Sequence, residues 1–258
     1  MNYRMVFYMV GRLLQLEAVL LLLPAAVCVT YGDGGLTAVL IAAALALALG
    51  CGMTLLRRPK NQTIYAKEGF VIVALSWLLL SAVGAVPFVV SGEIPHYVDA
   101  FFETVSGFTT TGASVVTDLN RLGEPLGMSH GILFWRSFTH WIGGMGVLVL
   151  ATAILPAMGI RSHYLTQAES PGPVFSKLVP KQSQTSKILY TIYCSLTLLE
   201  ALCLKLAGMP LYDSFIHAFG TAGTGGFGIK GDSIASYSPY LQWVITIFMI
   251  LFGVNFNA

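Results

Sequence analysis

The chain has 258 residues, 55% of them hydrophobic and only 10% charged. Soluble domains carry about 25% charged residues, so this composition excludes an ordinary soluble enzyme and indicates an integral membrane protein. A net charge of +2 with no basic run longer than Arg57-Arg58 also argues against a nucleic-acid partner.

The first apolar segment is expected as a span over about residues 5–30, retained rather than cleaved, with Arg12, Glu17 and Pro24 inside it. Arg12 and Glu17 have two open readings: they face each other, or they reach toward the cytoplasmic surface. A tight turn at Tyr31-Gly-Asp-Gly-Gly35 leads to a second span over residues 36–56, long enough to cross about 30 Å of hydrocarbon. It stops at Arg57-Arg58-Pro59-Lys60. A third span covers about residues 70–90, and a half-length helix follows over about 98–107.

The stretch Thr110-Thr111-Gly112-Ala113-Ser114 comes next, then a polar loop with Asp118, Arg121 and Glu124. The next span, about 132–160, carries Trp135, Arg136, His140 and the cluster Gly143-Gly144-Met145-Gly146. Arg136 and His140 lie one helical turn apart and are read as packing against a network that supports the neighbouring Thr-x-Gly break, rather than contacting an ion directly. Residues 161–187 are the most polar stretch. A fifth span over about 188–206 contains Glu200 and Lys205, read as partners. A second half-length helix, about 212–221, precedes Thr224-Gly225-Gly226-Phe227-Gly228, a polar loop from Lys230 to Pro239 and a last apolar run from Tyr240. That run ends at Asn255-Phe-Asn-Ala258 without a polar cap, which suggests a fragment. Cys28, Cys51, Cys194 and Cys203 lack metal-ligand spacing and read as small apolar residues. Asn61-Gln-Thr63 is treated as a chance sequon, and no set of side chains converges on a catalytic site.

Two parts of the chain register on each other. Asp99 falls on Asp213, Thr110 on Thr224 and Gly112 on Gly226, an offset of 114 residues throughout. Pro95/Tyr97 and Pro210/Tyr212 open the two units at an offset of 115, so one unit carries one extra residue, most simply Val98. The pattern is a duplicated membrane unit. Each unit breaks into Thr-x-Gly after a helix too short to cross. Non-helical backbone at membrane depth is tolerated only when buried in protein or lining a wet cavity. Glycine-aimed carbonyls there can replace a cation's water, and the C-terminal end of the short helix favours positive charge. Thr110, Thr111, Gly112, Ala113, Thr224, Gly225, Gly226 and Phe227 are therefore the candidate ion-binding residues. Glu103 and His217 occupy equivalent places in the two short helices. Glu103 has two open readings, a hydrogen bond behind the break or exposure at the outer mouth.

The run Gly223-Thr-Gly225-Gly-Phe-Gly228 also fits a dinucleotide fingerprint, but it follows a helix and precedes a loop, and it leaves the duplicate at Gly112 unexplained. Ten of the fourteen Lys and Arg fall on one face, which places the N-terminus in the cytoplasm. Eight of the twelve acids fall toward the other, beside both breaks, where they would concentrate cations.

Phe102-Glu-Thr-Val-Ser-Gly-Phe-Thr-Thr-Thr-Gly-Ala-Ser114, Trp135-Arg-Ser-Phe-Thr-His-Trp-Ile-Gly-Gly-Met-Gly146, Ala168-Glu-Ser-Pro-Gly-Pro173 and Ala218-Phe-Gly-Thr-Ala-Gly-Thr-Gly-Gly-Phe-Gly228 together resemble the Trk/Ktr/HKT superfamily of potassium transporters, nearest its TrkH-type bacterial membrane subunits. The resemblance covers essentially the whole chain. It implies an all-α polytopic membrane protein with two N-terminal transmembrane helices followed by two units of transmembrane helix, pore helix, filter and transmembrane helix. The expected divisions are a hairpin over 1–64, a first pore-loop unit over 65–160, a cytoplasmic loop over 161–187 and a second unit over 188–258.

The resemblance further implies potassium uptake across the bacterial inner membrane, with potassium held at Thr110, Thr111, Gly112, Thr224, Gly225 and Gly226. Glycine at both Gly112 and Gly226 goes with potassium preference. No covalent cofactor is implied. Expected partners are the bilayer, a second copy in a homodimer and a cytosolic nucleotide-binding regulatory subunit. Channel-like conduction and cation-coupled symport both stay open. The family carries four such units, so a non-conducting half that needs two more is the alternative.

Overall fold

The structure, a computed structural model, describes residues 2–56, 66–116, 128–146 and 182–253. The expectations for Arg57, Arg58, Lys60, Asn61, Asp118, Arg121, Glu124, the far half of the fourth span, residues 161–181 and the last five residues lie outside that set. The described residues form helices and connecting loops, with no strand among them.

Helix α1 (Tyr3–Leu20) starts where the Asn2 side chain accepts from the Met5 amide. It breaks at Leu21, and α2 (Leu22–Tyr31) continues the span. Pro24 has no N–H to offer the Leu20 carbonyl, which is sufficient reason for the break. Gly32 then ends α2 with a φ of 68°. Helix α3 (Leu36–Leu56) is apolar all round, as a helix in lipid must be. It crosses α1 closely: a Cβ added at Gly11 would lie 2.9 Å from the Gly50 carbonyl, and one at Gly50 would crowd Gly11 in return. Small residues at such a crossing let the backbones approach.

The third span repeats the broken form of the first. Helix α4 (Ala66–Gly84) gives way at Ala85 to α5 (Val86–Ser91), with Pro87 denying an N–H to the Val83 carbonyl. The short helices are α6 (Tyr97–Phe108) and α9 (Leu211–Ala222). Between them lie α7 (His130–Gly144) and α8 (Gln182–Leu206); α10 (Pro239–Gly253) closes the described chain. Helix α8 begins at Gln182 rather than at Ile188. No proline follows Pro180 in this stretch and its polar residues tolerate helix, so the helix extends past its apolar part. Among the described residues four helical runs, Tyr3–Tyr31, Leu36–Leu55, Lys67–Ser91 and Lys187–Leu206, are long and apolar enough to cross a membrane.

Helix α7 is the spine. Trp135 packs edge-on to Phe108 of α6, while Phe134 and Phe138 both meet Phe219 of α9 at 5.5 Å between ring centroids. The Trp135 indole donates to the Gly84 carbonyl at 2.9 Å, where the α4–α5 break exposes an acceptor. One helix therefore holds both short helices at fixed places.

Arg12 does not face Glu17, one of its two open readings, and the expected pairing of Glu200 with Lys205 does not form. Arg12 donates to Tyr8 and Gln15 instead of meeting Glu17, which is buried among α1, Gly84 and Thr104. A helical i, i+5 spacing points the two side chains to different faces. Glu200 is fully buried while Lys205, also five residues on, is exposed, and no ion pair joins them.

Candidate functional site

Helices α6 and α9 have twelve residues each. At 1.5 Å per residue that is about 18 Å, roughly half of a hydrocarbon core. Each ends in a turn built the same way. The amides of Thr109, Thr110 and Thr111 donate to the carbonyls of Val105, Gly107 and Ser106. The amides of Gly223, Thr224 and Gly225 donate to those of Phe219, Thr221 and Gly220. Every donor and every acceptor is displaced by the same 114 residues. The dihedrals repeat too: φ is 55° at Thr110 and 54° at Thr224, and 76° at both Gly112 and Gly226.

A β-branched threonine with positive φ is sterically unfavourable. Two of them at matched positions amount to stored backbone strain, which clusters at functional sites. Thr111, Ala113, Thr224 and Gly226 are exposed, while the helices before them are largely buried. The two turns also meet. A Cβ added at Gly112 would run into the Gly225 carbonyl, so only glycine allows that approach.

Two carbonyls of the expected set turn elsewhere. That of Ala113 accepts from Ser106 Oγ at 2.5 Å, and that of Phe227 lies against Gly220, the residue equivalent to Ser106. Both face back to their own short helix, while the Gly225 carbonyl faces Gly112 of the first turn.

The side chains behind the turns differ. Glu103 lies behind the break, as one of its two readings had it. Its Oε2 accepts from the Val115 amide at 2.9 Å, and its Oε1 accepts from Ser114 Oγ at 2.9 Å and from Arg136 Nε at 2.6 Å. This ion pair is almost fully buried. The Arg136 guanidinium also donates to Ser114 Oγ at 3.1 Å and, more loosely, to the Gly228 carbonyl at 3.5 Å. It stacks 3.5 Å from the centroid of the Phe227 ring. In the second unit His217 takes the Glu103 position. It contacts Gly228 rather than Ser114 and faces the Tyr237 hydroxyl at 3.3 Å. The His140 ring sits directly on Gly225 and 3.9 Å from the Phe227 ring.

Away from the turns, a polar knot joins the ends of four helices. Tyr31 stacks on His130 at 4.1 Å, and the Tyr212 hydroxyl donates to the His130 carbonyl. Asp33 accepts from the His130 amide, and Glu93 accepts from both the amide and the hydroxyl of Ser129. Burial pushes the Glu93 carboxyl up to about 6, against the two Ser129 hydrogen bonds that pull it down. The knot was not anticipated from the sequence, although Tyr212 had marked the start of the repeat.

A family model, TrkH, described as cation transport protein, matches residues 35–258. The Trk system potassium uptake protein TrkH of Salmonella typhimurium is 40% identical over 261 residues, covering 100% of this chain and 53% of that protein. The Trk system potassium uptake protein TrkG of Escherichia coli is 35% identical over 259 residues, covering 99% of this chain and 52% of that protein. The crystal structure of the potassium transporter TrkH from Vibrio parahaemolyticus superposes with a TM-score of 0.82 at 33% identity, over 99% of this chain and 51% of that one. The chain thus spans about half the length of the relatives it matches.

Proposed function

The chain belongs to the TrkH family of cation transport proteins, and from that premise we propose that its two matched turns form two quarters of a potassium selectivity filter. The observation that carries this reading is the repetition, 114 residues apart, of one hydrogen-bond scheme and one strained dihedral pattern. Left-handed residues at the first and third positions aim successive carbonyls away from the helix. The carbonyls of Thr110, Thr111 and Gly112, with those of Thr224, Gly225 and Gly226, replace the water around a potassium ion. Ala113 and Phe227 anchor the outer end of each turn. The C-termini of α6 and α9 point their negative dipole ends at the same place, which favours a cation.

On this reading residues 1–64 brace the pore from outside, 65–160 and 188–258 are the two pore-loop units, and 161–187 face the cytoplasm. The protein works in the bacterial inner membrane as the membrane subunit of a Trk-type uptake system, with its N-terminus inside. Its partners are a second copy of itself and a nucleotide-binding regulatory subunit. The relatives' names carry the ion: both curated proteins are potassium uptake proteins of Trk systems. The half-length coverage favours a second reading, in which these residues alone conduct nothing and two further units complete the ring.

The test is growth of an uptake-deficient bacterium on limiting potassium. The native gene product restores growth, and Gly112→Ser with Gly226→Ser abolishes the potassium preference. Unchanged rescue by that doublet removes the filter assignment. Rescue by residues 1–258 alone removes the second reading.

A further inference from the structure

We infer that Arg136 is a positioning residue that sets the spacing between the two turns, and through that spacing the discrimination of potassium from sodium. The inference rests on the filter reading above and goes beyond it by naming what fixes the oxygen positions. One guanidinium joins groups from both units. On the first side it holds Glu103 and Ser114, which flank the outer end of the first turn. On the second side it covers the Phe227 ring and reaches the Gly228 carbonyl, which follow the second turn directly. Glu103 is itself fixed to the Ser114 hydroxyl and the Val115 amide. The linkage therefore runs without a gap from α6 through the first turn and Arg136 to the second.

Among the described residues of the second unit, no side chain repeats this linkage. Helix α10 has no lysine or arginine between Pro239 and Gly253. A guanidinium suits this place because its planar fork holds several acceptors in fixed directions while its face lies on an aromatic ring. Cations of one charge differ in radius by a fraction of an ångström, so ring spacing governs which ion fits the oxygens. A brace between neighbouring turns acts on that quantity without touching the ion.

The experiment uses the native gene product in cells lacking other potassium uptake, and reads the sodium concentration that halves rubidium uptake. Removing Arg136 alone strands a buried carboxylate, whereas replacing both partners avoids a lone buried charge. The main variant is therefore Glu103→Gln with Arg136→Gln, compared at equal amounts in the membrane. Loss of one charge-assisted hydrogen-bond set should lower the half-inhibiting sodium on the order of tenfold. Arg136→Lys, which keeps the charge but not the fork, should fall between the two. Should the double variant fail to reach the membrane, Ser114→Ala and Phe227→Leu each break one contact and should each shift sodium sensitivity in the same direction, by about two- to fivefold. Unchanged sodium sensitivity in whichever of these variants reaches the membrane overturns the inference. Gly112→Ser with Gly226→Ser is the parallel control. If it changes selectivity and the Arg136 set does not, the brace is wrong and the filter stands; if it changes nothing, the filter reading itself has failed.

Discussion

The first and second units share a backbone and differ in what holds it. After α6 the turn is tied by a buried carboxylate, two hydroxyls and a guanidinium, namely Glu103, Ser106, Ser114 and Arg136. After α9 the equivalents of Glu103, Ser106 and Ser114 are His217, Gly220 and Gly228, and the support comes from the rings of Phe227, His140 and Tyr237, with Arg136 reaching over only through its face on Phe227 and a loose bond to Gly228. Yet φ at the paired threonines differs by only one degree, and at the paired glycines not at all. Two unlike side-chain solutions thus reach one turn geometry. The polar solution is the more brittle. A buried ion pair gains its stability only while complete, whereas packed rings lose it contact by contact.

That contrast can be broken most sharply at Arg136. Arg136→Ala leaves Glu103 charged and buried, and should destabilise the protein by about 3–5 kcal/mol. His217→Ala, at the second unit's counterpart of Glu103, removes one weak hydrogen bond and a ring contact and should lose about 1–2 kcal/mol. Thermal unfolding of the two variants in detergent measures the difference. Equal losses would mean that the two turns are supported alike.

The paired glycines have unlike surroundings. Both have positive φ, so alanine at either is strained by about 1–2 kcal/mol. At Gly112 the added methyl also meets the Gly225 carbonyl, while at Gly226 it meets nothing within 4 Å. Gly112→Ala should therefore impair rubidium uptake more than Gly226→Ala, and a reversed order would show that the turns do not touch as described.

How much of this was legible beforehand follows from the range of each interaction. Apolar run length gave the spans, and the repeat of Asp99 on Asp213 and Gly112 on Gly226 gave both short helices to within a residue or two. Those signals are local or periodic. Pro24 and Pro87 stand just after the breaks at Leu21 and Ala85, but a proline in a long apolar run bends as readily as it breaks. The link from Glu103 to Arg136 spans 33 positions and the hydrogen bond from Arg136 to Gly228 spans 92. No periodicity encodes such pairings; they exist only once α7 stands between α6 and α9. For the same reason Glu200 was paired with Lys205 by proximity in sequence, when the helix turns them to different environments.

A smaller effect separates the knot from the turns. Glu93 has its carboxyl raised from 4.5 to about 6 by burial. A group whose folded value is raised adds stability below its unfolded value and loses it as pH rises through the folded one. Stability should therefore be highest below about pH 4.5 and fall by at most about 2 kcal/mol as pH rises past about 6. Glu93→Gln should flatten that slope, and a slope that persists would assign it to another group. Least affected should be Trp135→Phe, which keeps the ring contacts of the spine and loses one hydrogen bond to Gly84, about 1 kcal/mol.

The most direct measurement is the anomalous scattering of thallium in crystals of the native gene product grown without potassium. A peak is expected within coordination distance of the carbonyls of Thr110 and Gly112 and of Thr224 and Gly226, shared between the two turns. Thallium bound elsewhere in the protein, with no density between those oxygens, would contradict it.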